Sequence, residues 1–148
     1  MPSKPPKCHS VFSGASDWIF LFDLGNSFAF PSHIAITSRR PDAVFYSNSL
    51  KRVVLLELTV PIEDRVLKSQ QLKTRRYDAL VKECASNGWR ASLLTIEVGC
   101  RGYACGSIKH VLMQLGLSRA MANQTLCACS DVSLRCSNII YLIRSIPL

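Results

Sequence analysis

The segment from Arg39 to Tyr77, RRPDAVFYSNSLKRVVLLELTVPIEDRVLKSQQLKTRRY, holds two carboxylates and a run of cations at spacings that suit phosphate chemistry. Asp42 precedes one apolar stretch and Glu57 lies inside the next, with 14 residues between them. Carboxylates on adjacent strand ends are what a Mg²⁺ or Mn²⁺ site needs, because a hard cation takes oxygen ligands and keeps several waters beside one or two carboxylates. An ion held there orients and deprotonates a water and stabilises the charge that builds on a phosphate during hydrolysis. A lysine close by strengthens that stabilisation. Arg65, Lys68, Lys73, Arg75 and Arg76 offer five positive charges within twelve residues, with no acid among them.

Strands and one helix must position these groups. Period-two alternation puts Val53, Leu55, Glu57 and Thr59 on one face of a strand and Val54, Leu56, Leu58 and Val60 on the other. Glu57 therefore sits in an apolar stretch, where a carboxylate is costly unless it meets a cation. Two partners fit: a basic side chain of the following helix, or a metal ion. From Ile62 to about Ser86 there is no Pro or Gly, and steps of about 100° group Val66, Tyr77, Leu80, Val81 and Cys84 on one arc of a long amphipathic helix. On that projection Lys73 falls between Val66 and Leu80 and leans towards the sheet. Lys68 and Arg75 point outward. The cations together cover about 160° of the helix, which reads either as a solvated face or as a surface for phosphates.

Around this segment, Trp18 to Leu24 reads as a strand ending in a turn at Gly25-Asn26. Ala43 to Tyr46 and Val53 to Val60 read as a hairpin, and Pro61 stops the second strand. Asn87-Gly88 closes the long helix, and Trp89 to Val98 forms another strand. Gly99, Gly102 and Gly106 mark a loop, Ser107 to Leu115 a helix, and Ser118 to about Arg144 a last helix capped by Ser118. The order β-β-β-α-β-α-α implies an α/β domain with a mixed sheet, since a crossover helix joins parallel strands.

Composition sets the outer limits. The 148 residues carry 18 Lys and Arg against 10 Asp and Glu, a net charge of +8, and 48% of them are apolar, which fits one basic domain with a real core and excludes general disorder. No uninterrupted apolar run exceeds five residues, so no membrane span is expected, and no apolar region follows the basic N-terminus as a secretory signal would require. The expected location is intracellular. Residues 1–10, with Pro2, Pro5 and Pro6, read as a disordered leader. Seven cysteines lack the spacing of a disulfide framework, and Cys127-Ala-Cys129 with three scattered histidines gives no ligand set for structural zinc, which is not expected. Nothing in the chain suits sequence-specific readout of DNA; the cations suit phosphate contacts, which position rather than specify.

Arg40-Pro41-Asp42, followed after 14 residues by Glu57-Leu-Thr-Val-Pro61, resembles the PD-(D/E)xK nuclease pattern as it occurs in the restriction-enzyme-like endonuclease domain of non-LTR retrotransposons of the R2 type. The likeness extends to Asp17-Trp18, Phe30-Pro31, His33-Ile34-Ala35, Tyr77, Gly88-Trp89, the stretch from Ile96 to Gly102, and Leu115-Gly116. It implies a restriction-endonuclease-like mixed sheet core flanked by helices. The nuclease domain would span residues 11–116, and 117–148 would be a carboxy-terminal helical extension packing on it. Asp42 and Glu57 match the metal-binding acids, with Mg²⁺ or Mn²⁺ as cofactor. The usual ExK lysine would fall at Thr59 and is absent; Lys73, four residues before Tyr77, matches the lysine that moves onto the following helix, with Lys68 as its competitor. Glu63 and Tyr77 are auxiliary candidates, and Arg40, Arg75, Arg76 and Arg101 candidates for DNA contact.

The implied activity is nicking of target DNA in the nucleus, the released 3′-hydroxyl priming reverse transcription of element RNA by a reverse transcriptase domain of the parent protein. This chain is too short to hold that domain and lacks the CCHC spacing of the family's zinc knuckle, so it reads as a fragment. The Cys-rich stretch from Leu126 to Cys136 departs from the family. A catalytically inactive DNA-binding remnant of the same fold is the alternative, and an interaction domain with incidental positive charge is a third reading.

Overall fold

β-branched and aromatic residues build three consecutive strands in the computed structural model, β1 (Trp18–Phe22), β2 (Ala43–Ser47) and β3 (Arg52–Thr59). Residues 10–25, 28–104 and 106–144 are described. β2 and β3 form the expected antiparallel hairpin, with Ala43 opposite Leu56 and Ser47 opposite Arg52. Its turn, residues 48–51, takes Lys51 into the left-handed region at φ 49°. Asp17 fastens this turn, accepting hydrogen bonds from Ser47 Oγ (2.6 Å), Ser49 Oγ (2.7 Å) and the Ser49 amide (2.8 Å). β1 adds to the free edge of β2 in antiparallel pairing.

Pro61 ends β3, and the chain turns through a 3-10 turn (Glu63–Arg65) into α1 (Val66–Ser86). The long helix thus begins four residues later than the expected Ile62, because its first turn is wound more tightly. At its far end Gly88, at φ 80°, donates its amide to Ala85 O, and the Trp89 amide returns to Cys84 O; this left-handed closure favours glycine. β4 (Arg90–Glu97) then pairs parallel to β3, so the sheet runs β1-β2-β3-β4 and is mixed, as expected.

Val53 and Leu55 pack with Val44 and Tyr46 against Tyr77, Leu80 and Cys84 of α1, closed off by Ile34 and Trp89. The other face of the sheet carries Ala43, Phe45 and Val54 against Phe12, Trp18, Leu94 and Leu115. α2 (Gly106–Gln114) and α3 (Arg119–Arg144) complete the chain, and Ile108 and Leu112 of α2 form one small core with Ala122 of α3 and Val98. Val66, projected onto the arc of Tyr77 and Leu80, packs here instead. A shared core therefore crosses the boundary expected between 116 and 117, and Ser133 Oγ of α3 donates to Gly99 O at 2.7 Å.

The expected leader lies outside the described residues except for Ser10; the Val11 amide beside it bonds Gln114 O at 2.8 Å. Asn26 of the expected turn, Cys8 and Cys105 also lie outside them. The cysteines at 84, 100, 127, 129 and 136 are free thiols. Counting uninterrupted apolar runs overlooks one feature of α3: its 26 residues are long and apolar enough to cross a membrane by length and composition. Asp131 and Arg135 near its middle would each cost about 2.5–3.5 kcal/mol at a bilayer centre, which counts against a span.

Candidate active site

Because β3 and β4 run parallel and β2 antiparallel to them, the C-terminal ends of β3 and β4 and the start of β2 meet at one edge of the sheet. Open α/β sheets bind ligands at the carboxyl ends of their strands. Pro41 is fully buried, whereas Asp42 is exposed at the head of β2. Continuing the hairpin register one step beyond Ala43 and Leu56 sets Asp42 opposite Glu57. Here the ladder stops, and the Leu58 amide donates to Asp42 Oδ2 at 2.7 Å. That bond orients the carboxylate.

Glu57 is 1% exposed and forms an ion pair with Lys73, whose Nζ donates to Oε2. Of the two partners named as alternatives for Glu57, the helix supplies its cation, from the residue that the projection turned towards the sheet. One helical turn further on, the wholly buried Tyr77 donates its hydroxyl to Arg40 O at 3.1 Å. Burial, then the Glu57 carboxylate beside it and, more weakly, Asp42, hold this phenol well above its ordinary pKa, against the Arg76 guanidinium. Tyr77 therefore ties the Arg40–Asp42 strand entry to α1 while staying protonated.

Asp42, Glu57, Lys73 and Tyr77 are brought together. The other expected site residues are not. Arg40 is held in a fork by Asp23, with Nε to Oδ2 at 3.1 Å and Nη2 to Oδ1 at 2.6 Å, and also donates to Gly25 O. Glu63 faces the loop after β4: it accepts from the Arg101 amide at 2.7 Å, and Arg101 Nε lies 4.0 Å away. Desolvation raises its pKa, but the amide and the guanidinium of Arg101 outweigh that and leave it below the ordinary carboxylate value. Lys68, Arg75 and Arg76 are exposed on α1, and no acid pairs with them among the described residues. Arg76 lies over the Tyr77 ring at 5.8 Å. Arg101 is 82% exposed, so it is available to solvent despite its distant contact with Glu63.

One residue was read only as part of a strand end and glycine loop, within the stretch from Ile96 to Gly102. Glu97, the last residue of β4, is 1% exposed, and its Oε1 has no hydrogen-bond partner. Period two along Ala91, Leu93, Thr95 and Glu97 carried the signal; it needed the register of β4 on β3 to become visible.

The donors at this edge are carboxylate oxygens, which fit a hard divalent cation. Among the described residues no three His, Cys, Asp or Glu side chains converge on one point; two carboxylates with waters are what Mg²⁺ ordinarily takes from a protein. An apolar groove between α3 and the strand ends, lined by Val60, Val98, Cys129, Val132 and Ile140, includes Leu58 and so opens on the opposite face from Glu57; its lining holds no charged group. In comparisons with known proteins, the chain matches no family model, no curated protein and no solved structure.

Proposed function

We propose that the chain is a divalent-metal-dependent DNA endonuclease domain with a restriction-endonuclease-like fold. The observation that carries this reading is a buried acid, Glu57, paired with Lys73 beside an oriented Asp42 at the carboxyl ends of two parallel strands. Asp42 and Glu57 would hold Mg²⁺ or Mn²⁺, which supplies Lewis acidity and an acidified water. Lys73, turned from its ion pair towards the phosphate, steadies the negative charge that develops there. Tyr77 keeps the Arg40–Asp42 segment seated through the Arg40 carbonyl. Lys68, Arg75 and Arg76 bind the phosphate backbone, with Arg101 at the edge of the same loop cluster. Arg40 contributes more to seating β2 than to DNA, since Asp23 already neutralises it.

The resemblance to the retrotransposon endonucleases supports nicking in the nucleus for target-primed reverse transcription, with a reverse transcriptase domain and element RNA as partners of the parent protein. The test is nicking of supercoiled plasmid with Mg²⁺ or Mn²⁺. Asp42→Ala and Lys73→Ala should abolish it, and a folded wild-type chain that leaves plasmid intact, or an Asp42→Ala variant that cuts equally well, would sink the reading.

A DNA-binding remnant is the second reading, favoured by one observation: both acids are already satisfied by the protein, Glu57 by Lys73 and Asp42 by the Leu58 amide. Binding without metal-dependent cutting would decide for it. In either case affinity should fall with salt, with a log–log slope of about −0.9 per phosphate contact, and Lys68→Ala and Arg75→Ala should each reduce that slope by about one.

A further inference from the structure

Glu97 is a charge-bearing group that the reading above leaves without work. An unmatched acceptor buried away from water is costly, more so when charged, and a neutral residue at this position would avoid that cost. Burial pushes the Glu97 carboxyl above the ordinary range, against the Thr95 hydroxyl beside it. Parallel pairing sets Thr95 opposite Glu57 and Glu97 opposite Thr59, so Glu97 shares the α1 face of the sheet with Glu57 and lies one row nearer the strand ends. Gln70 of α1 reaches the neighbouring Thr95 hydroxyl at 3.5 Å, which fixes the facing of this row. Strand spacing of about 4.8 Å and a rise of about 3.3 Å per residue separate the two glutamate Cα atoms by about 8 Å. Although no three acids converge on one point among the described residues, two glutamates at that separation can turn their carboxylates to one ion between them, whose ligand distances are about 2.0–2.6 Å.

Resting on the assignment of Asp42 and Glu57 as the metal pair, we propose that Glu97 is a third oxygen ligand, which extends the divalent-cation site from β3 onto β4. Its unpartnered oxygen is the ligand atom, and the cation is what offsets the cost of burying it. Among the described residues no Lys, Arg or His pairs with Glu97.

Mn²⁺ binding to the purified chain without DNA, followed by calorimetry, tests this separately from catalysis. Glu97→Gln should weaken Mn²⁺ binding about tenfold or more while leaving the melting temperature in EDTA equal or higher, because a neutral amide replaces the buried acid. Asp42→Asn should weaken binding as well. If Glu97→Gln binds Mn²⁺ as the wild type does while Asp42→Asn does not, the role of Glu97 is overturned and the metal pair stands. If the wild type binds no Mn²⁺, both fall. Should the glutamine variant not fold, the carboxyl ¹³C resonance of Glu97 in the wild type decides: it should shift on Mg²⁺ titration together with that of Glu57, and a Glu97 signal that stays fixed while Glu57 moves overturns the proposal.

Discussion

Replacing Lys73 by methionine removes the charge facing Glu57 while keeping a long side chain and good helix propensity. Glu57 is 1% exposed, so the variant leaves a carboxylate buried beside the Tyr77 hydroxyl with no counter-ion. Breaking a buried pair from one side costs about 3–5 kcal/mol; the Lys73 side chain is 24% exposed, which lets water approach and argues for the lower end. A loss of about 3 kcal/mol corresponds to a melting temperature lower by about 6–12 °C in a domain of this size. Glu57→Gln should cost less, about 1 kcal/mol, because the lysine left behind can turn to water. The double variant should resemble Glu57→Gln, so that a double-mutant cycle yields a coupling of about 3 kcal/mol. Urea denaturation in EDTA, followed by tryptophan fluorescence, measures all four proteins, with Trp89 reporting from the core that α1 covers. A coupling below about 0.5 kcal/mol, or a methionine variant as stable as the wild type, would refute the claim that this pair holds α1 to the sheet edge.

Three further outcomes follow from the same geometry. Tyr77→Phe removes the hydroxyl that reaches Arg40 O, and should lower stability by about 1–2 kcal/mol in the same urea assay; an unchanged midpoint would mean that Tyr77 does not anchor the entry to β2. Asp17 is held down to about 2 from 3.8, chiefly by Ser47 and then by Ser49, so its contribution is complete above pH 4 and disappears as pH falls towards 2. The stability difference between wild type and Asp17→Asn should therefore shrink over that interval, and a constant difference from pH 5 to pH 2 would contradict the role of Asp17 in the hairpin turn. A Cβ added at Gly99 would lie 2.6 Å from Glu63 Oε1 and 2.9 Å from Tyr103 Cβ, so Gly99→Ala should cost about 1–3 kcal/mol, and a variant that melts with the wild type would mean the loop after β4 yields freely.

What could be read ahead of the structure divides by how far apart the interacting residues are. The facing of Lys73 follows from helix geometry over a few turns, and the facing of Glu57 from strand alternation, so both were legible, and their meeting needed only that α1 cover the sheet. Arg40 and Glu63 carried the right chemistry at the right end of their elements, but their partners, Asp23 and the Arg101 amide, are chosen by loop paths that no local period encodes. Glu97 was read only as part of the stretch from Ile96 to Gly102, and its relation to Glu57 was illegible for a third reason. Its alternation within β4 is plain, yet its relation to Glu57 depends on where α1 returns the chain: slipping β4 by one residue against β3 would turn Glu97 to the opposite face. The 21 residues of α1, closed at Gly88, set that return. The length of the crossover helix therefore does more than carry cations past the sheet edge. It decides which acid of β4 lies on the face of Glu57, and a one-residue insertion before Gly88 should disturb the edge even with every acid and lysine still present.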